Sequence, residues 1–139
     1  MKFQNTGYTI KQVQQLIHTQ MEDVLRPLDL NISQYNVLKN LEATTFVTGA
    51  ELARKAFITP QTMHTMLTTM ERKGLVARSP IEGNKKVMSV AITSKGVAVL
   101  GDAEEALGGV YKKANSALSP GEHAELERLL HKLSAGLKD

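Results

Sequence analysis

Gln61, Thr62, His64, Thr65, Thr68 and Arg72 are the residues of this sequence best placed to do chemistry. They recur opposite a stripe of Met63, Met66, Leu67 and Met70, whose i, i+3, i+4, i+7 spacing buries one side of a helix and leaves the other to solvent. The outward set is small, polar and rich in hydrogen-bonding groups. A Gln amide pairs bidentately with adenine, a Thr methyl touches the thymine methyl, and the first residues of such a helix reach base edges in a major groove. Threonine is a poor helix former on a merely solvated face, yet Thr62, Thr65, Thr68 and Thr69 crowd this one. The chemistry indicated is recognition of nucleic acid without bond making. Gln61, Thr62 and Thr65 are the expected base readers, and His64 can bond a base or a phosphate.

The charge around this helix agrees. Residues 48–96 hold eight bases (Arg54, Lys55, Arg72, Lys73, Arg78, Lys85, Lys86, Lys95) and three acids, whereas the rest of the chain holds nine bases and eleven acids. The net charge of the whole chain is only +3, so the positive field is concentrated on the suspected reading segment, as a phosphate-facing surface requires. Arg54, Lys55, Arg72, Lys85 and Lys86 are the expected sources of phosphate attraction. Thr59 opens the helix, whose free amides and dipole draw a phosphate to its start.

Other chemistries find little support. Cysteine is absent, which removes disulfides, a thiol nucleophile, thiolate metal sites and thiol-based peroxide sensing. No nucleophile elbow or Gly-rich phosphate loop occurs. His18, His123 and His131 show no tight ligand spacing, so neither metal nor cofactor is expected. No apolar run approaches the roughly 18 residues that span a bilayer, and the start MKFQNTGYTIKQ lacks the apolar stretch of a secretory signal. The expectation is a cytoplasmic protein with no membrane partner, long enough at 139 residues for one ordinary domain.

The elements that must hold the reading helix follow from periodicity. Ile10, Val13, Leu16, Ile17, Met21, Val24 and Leu25 predict a first helix over 8–26, stopped by Pro27. Ser33 is the candidate N-cap of a second, with Val37, Leu38 and Leu41 inward. Phe46 and Val47 suggest a short strand. Thr48 with Glu51 forms a capping box for a third helix that buries Leu52, Ala53 and Ala56. Thr59 and Pro60 start the reading helix, and Gly74 ends it. Strands over 75–79 and 86–92 flank the turn Ile81-Glu82-Gly83-Asn84, a basic hairpin. Thr93 caps a fifth helix toward Asn115, which Gly101, Gly108 and Gly109 should weaken or bend. Ser119-Pro120-Gly121-Glu122 caps a sixth, with Leu126, Leu129, Leu130, Leu133 and Leu137 in one stripe.

The expected fold is mostly α with a small β-wing. A winged helix-turn-helix core over 31–92 is flanked by helices over 8–27 and 94–137 within a single domain of 1–139. The outer helices carry apolar faces that the middle module is too small to cover. A symmetric dimer built from the chain ends is the expected cover; the alternative is that the terminal helices pack on each other.

AELARKA, the TPQT entry into the reading helix, the run Met70-Glu71-Arg72-Lys73-Gly74-Leu75-Val76-Ala77-Arg78 and the close Ile92-Thr93-Ser94-Lys95-Gly96 together resemble the MarR (multiple antibiotic resistance regulator) family over nearly the whole chain. The resemblance implies a homodimeric transcription regulator, usually a repressor, on a near-palindromic stretch of double-stranded DNA. It also implies release by small, often aromatic or anionic, effectors. In that family the effector lies between the dimerisation helices and the winged module, where His18, Met21, Tyr35 and Asn36 are the candidate lining. The family's wing commonly reads Asp-Arg-Arg, with an arginine in the minor groove and the acid fixing the wing. Asn84-Lys85-Lys86 stands there instead, and lysine is a hydrated point charge rather than a planar fork. A looser wing that attracts phosphate is therefore expected. The competing readings are a winged-helix protein–protein adaptor and, last, an enzyme, for which no acid–base or nucleophile pair is visible.

Overall fold

Each α-helix after the first begins where a side chain takes over an orphan amide of its first turn. The computed structural model describes residues 2–44 and 46–138, with the side chains of residues 2–4 and 85 outside the description. In order it runs α1 (Lys2–Leu25), a 3-10 turn (Arg26–Leu28), α2 (Ile32–Ala43), α3 (Gly49–Ala56), α4 (Pro60–Arg72), β1 (Val76–Ile81), β2 (Asn84–Ile92), α5 (Ser94–Asn115) and α6 (Pro120–Gly136). The mostly helical architecture with a two-stranded antiparallel wing is as expected.

Several local expectations meet a different outcome. The first helix starts at Lys2 rather than near residue 8, because nothing in the sequence before Tyr8 breaks it. The cap of α2 is Asn31, not Ser33: Asn31 Oδ1 accepts from the Gln34 amide at 2.8 Å, and the Gln34 side chain accepts from the Asn31 amide at 3.3 Å. A Gln three residues after an Asn completes the reciprocal box that Ser33 cannot form. Phe46 and Val47 make no strand; instead Val47 O accepts from the Val90 amide at 2.8 Å, and Thr48 forms an isolated bridge with Ser89. Ala56 is exposed, since α3 ends there and only Leu52 and Ala53 turn fully inward. The glycines of α5 do not break it, and Gly101, Gly108 and Gly109 lie on open positions of a continuous helix.

The core gathers Leu25 of α1, Leu38 of α2, Leu52 of α3, Met63, Leu67 and Met70 of α4, and Leu100 and Leu107 of α5, all under 3 % exposed. It joins the winged module to α1 and α5, and the Lys39–Glu104 ion pair at 2.9 Å bridges α2 to α5 at the surface. The apolar stripe of α6 stays uncovered: Leu126, Leu129, Leu130 and Leu133 remain exposed, as do Ile10, Val13 and Leu16 of α1. The two faces border a groove of about 870 Å³. Among the described residues no helix is long and apolar enough to cross a membrane.

The reading helix is tied down at its far end by α5. Gly74 takes a positive φ of 79° to leave α4. Thr93 then donates its hydroxyl to Gly74 O and its amide to Leu75 O at 3.1 Å. Lys95 Nζ donates to Lys73 O at 2.7 Å. Gly96 is required here: a Cβ on it would sit 2.2 Å from Leu75 O.

Candidate nucleic-acid interface

The entrance of α4 is built by Thr59. Its Oγ1 accepts from the Thr62 amide at 3.1 Å and is 2.9 Å from the Thr62 hydroxyl, while Pro60 occupies a position that needs no donor. Along the helix Met63, Leu67 and Met70 are buried and Met66 is half-buried. Gln61, Thr62, His64, Thr65 and Arg72 are exposed, and Thr68 and Thr69 are half-exposed. The outward face is therefore the one expected.

Its threonines are not free rotors. Thr65 Oγ1 donates to Gln61 O at 3.2 Å, Thr68 Oγ1 to His64 O at 2.9 Å and Thr69 Oγ1 to Thr65 O at 3.3 Å. Hydroxyl protons committed to carbonyls four residues back fix the side-chain rotamers. Each such residue then offers a methyl and acceptor lone pairs in a set orientation, at no further cost in side-chain entropy.

Arg78 on β1 was not among the expected site residues, and it organises the face. One guanidinium nitrogen donates to Glu71 Oε1 at 3.1 Å and to Thr68 Oγ1 at 3.0 Å; the other lies 3.1 Å from His64 Nδ1. The Arg78 amide donates to Glu71 Oε2 at 3.2 Å. A guanidinium only donates, so His64 Nδ1 accepts, and the imidazole proton resides on Nε2. His64 thus offers a donor, not an acceptor, at its outer nitrogen. The side-chain and backbone hydrogen bonds from Arg78 hold the Glu71 carboxyl below the ordinary glutamate range. The signal was present in the sequence, as an acid and a base seven residues apart across a glycine turn, but sequence alone does not show a strand folding back on the helix.

The expected cations divide. Arg54, Lys55, Arg72 and Lys86 are exposed and have no ion-pair partner among the described residues. Lys73 is tied to Asp29, 3.3 Å from its carboxylate and 2.7 Å from its carbonyl. The Lys85 side chain lies outside the described residues. At the wing tip the strands pair in register from Val76↔Ile92 to Pro80↔Met88, then slip to Ile81↔Asn84, so the lysines occupy a bulge. Asn84 Oδ1 accepts from the Lys86 amide at 3.1 Å and holds that bulge from within.

The four candidate effector residues sit in different surroundings. Asn36 is exposed and lines a hollow of about 460 Å³ between α2, α3 and α4. Met21 packs toward α5, its Sδ 3.8 Å from the Tyr111 hydroxyl, and His18 is exposed on α1. Tyr35 is half-buried, and that burial, with the Glu104 carboxylate nearby, raises its phenol above the ordinary range. Among the described residues no group of three or more His, Cys, Asp or Glu side chains could hold a metal ion.

A two-helix turn unit followed by a basic hairpin, with a polar helix face clamped to the hairpin, defines a winged helix-turn-helix protein. Comparison with known proteins narrows this. Residues 30–88 match the profile of the MarR family. The chain is 29% identical over 129 residues to an HTH-type transcriptional repressor of Mycobacterium tuberculosis, covering 93% of each, and 27% identical over 128 residues to the multiple antibiotic resistance protein MarR of Escherichia coli, covering 91% and 89%. Its fold superposes on a mutant of Escherichia coli MarR complexed with operator DNA with TM-score 0.80, at 26% identity and 95% coverage of both chains. A MarR-like regulator from Bacillus cereus superposes at 0.89, sharing the fold at 22% identity over 99% of each chain. The chain thus carries a MarR-type segment at 30–88 and is similar along most of its length to MarR and MarR-like transcription repressors.

Proposed function

We propose that this protein is a sequence-specific DNA-binding transcription repressor of the cytoplasm, not an enzyme, that acts as a homodimer on a near-palindromic operator. Residues 31–92 form the DNA-binding unit, and helices within 8–27 and 94–137 form the dimer. The observation that carries the reading is the outer face of α4. From Leu52 to Met70 there is no acidic residue, and the exposed Gln61, Thr62 and Thr65 sit between the free cations Arg54, Lys55, Arg72 and Lys86. The Escherichia coli relative solved with operator DNA shares this fold along 95% of the chain.

In this reading Gln61, Thr62, Thr65 and Thr68 meet base edges, His64 donates through Nε2, and Thr59 receives a phosphate at the helix entrance. The uncovered leucines of α6 and the apolar positions of α1 supply the dimer surface, which sets two reading helices about one turn of DNA apart. Burying those leucines contributes stability at roughly 25 cal/mol per Å² of apolar surface. Release by a small aromatic or anionic effector belongs to the same proposal, with His18, Met21, Tyr35 and Asn36 as its candidate contacts.

Selection of bound sequences from random DNA, followed by footprinting upstream of the gene, tests the reading. Two half-sites one helical turn apart are expected. Failure to enrich any sequence would refute sequence-specific binding. A rise in Tm with a panel of small aromatic carboxylates tests the effector.

A further inference from the structure

Phe57 closes α3 in the left-handed region, at φ 57°. Its amide donates to the Ala53 and Arg54 carbonyls, and the Ile58 amide returns to Ala53 O at 3.1 Å. This is a helix-ending turn that glycine or asparagine ordinarily occupies, because a Cβ is penalised there. The phenyl ring recovers nothing within the chain, since it is 95% exposed. Asp29, at φ 56°, makes the contrast clear. Aspartate tolerates that region, and the conformation lets Asp29 hold Lys73 by its carbonyl and its carboxylate. No such contact accounts for Phe57, and strain of this kind points toward use.

The position says what the use is. Phe57 lies in the turn into α4, two residues before the Thr59 cap and beside the exposed cations Arg54 and Lys55. The surrounding stretch has no acid, and the residue does not line the apolar groove of α1 and α6. We propose that Phe57 is a DNA-contacting residue whose ring packs on a thymine methyl and the neighbouring deoxyribose at the edge of each half-site. Phenylalanine is suited to that apolar contact, and the cations Arg54 and Lys55 just before it draw in the phosphates that bring the sugar within reach. The proposal rests on the DNA-binding reading.

Phe57→Gly and Phe57→Asn, made in the full chain, test it against the selected operator by fluorescence anisotropy. Neither variant should lower Tm. Both should bind about tenfold more weakly, the equivalent of about 1.4 kcal/mol. The salt slope should stay as in the unaltered protein, because no phosphate contact is removed. Exchanging operator thymines singly for uracil, which removes the methyl, should reveal one position per half-site that weakens the unaltered protein and not the variants. Operator affinity equal to that of the unaltered protein would overturn the proposal, and so would a reduced salt slope, which would trace the loss to displaced Arg54 and Lys55. Failure of the unaltered protein to bind any DNA would refute the underlying reading instead, and is seen before either variant is made.

Discussion

The salt dependence of DNA binding can be worked from which cations the fold leaves free. Eight bases lie between residues 48 and 96. Lys73 is paired with Asp29, Arg78 with Glu71, and Lys95 is tethered to the end of α4. Arg54, Lys55, Arg72 and Lys86 remain exposed and unpaired among the described residues. In a twofold dimer these supply about eight phosphate contacts, and a log–log slope of about −7 follows at roughly 0.9 per contact. Lys85, if counted, takes it to about −9 by the same rule, whereas counting all eight bases of each subunit would give about −14. A slope of −7 means a loss of roughly four orders of magnitude in affinity between 50 and 200 mM salt. Anisotropy titrations across that range measure it. Lys55→Gln should flatten the slope by about 1.8 per dimer, while Lys73→Gln should leave it unchanged. A slope near −14, or an equal flattening by both substitutions, would refute the division of cations argued from the structure.

Gly96→Ala should destabilise the protein by about 1–3 kcal/mol, because its Cβ meets Leu75 O at 2.2 Å and Ile92 Cγ1 at 2.7 Å. Gly101→Ala meets nothing within 4 Å and should gain up to about 1 kcal/mol from helix propensity. Denaturant titration of both variants checks the opposite signs. Glu71 has its folded pKa depressed by Arg78, so its contribution is present above the unfolded pKa and fades as pH falls through the folded one. The stability difference between the unaltered protein and Glu71→Gln should therefore be present at neutral pH and close below the ordinary glutamate range; a difference constant with pH would remove the ion pair as its cause. Gln61→Ala combined with Thr65→Ala should change the selected sequence with little change in Tm, since both side chains are exposed, and an unaltered preference would move the reading surface elsewhere.

What the sequence disclosed was what depends on local spacing. The i, i+3, i+4, i+7 stripe of Met63, Met66, Leu67 and Met70 fixes the outward face of α4, and the boxes at Thr48 and Ser119 stand as the Thr-x-x-Glu and Ser-x-x-Glu patterns announce. Asn31 escaped because Ser33 offers a commoner cap two residues on, and the choice depends on which side chain finds a partner at the third position. Arg78 escaped for a different reason. Its partners His64, Thr68 and Glu71 come seven to fourteen residues earlier and meet it only once β1 has folded back along α4. The strain at Phe57 is likewise invisible in a string of letters, since it follows from how α3 ends.

The wing was expected to be loose because Asn84-Lys85-Lys86 stands where the family commonly has an acid and arginines. The structure separates two things that the expectation joined. The orientation of the wing against α4 is set at its base, where the largely buried Arg78 side chain bonds His64, Thr68 and Glu71. The tip is set by itself, through the Asn84 side chain and the Lys86 amide. An acid at the tip is then not needed to aim the wing, and replacing it by a neutral amide removes a negative charge from the place nearest the lysines. Glu82 remains in the turn, but Lys86 is left exposed and makes no ion pair among the described residues. A lysine lacks the planar fork that reads a groove, so on the proposed reading sequence discrimination would fall on α4 and the turn before it, and the wing would add attraction independent of sequence.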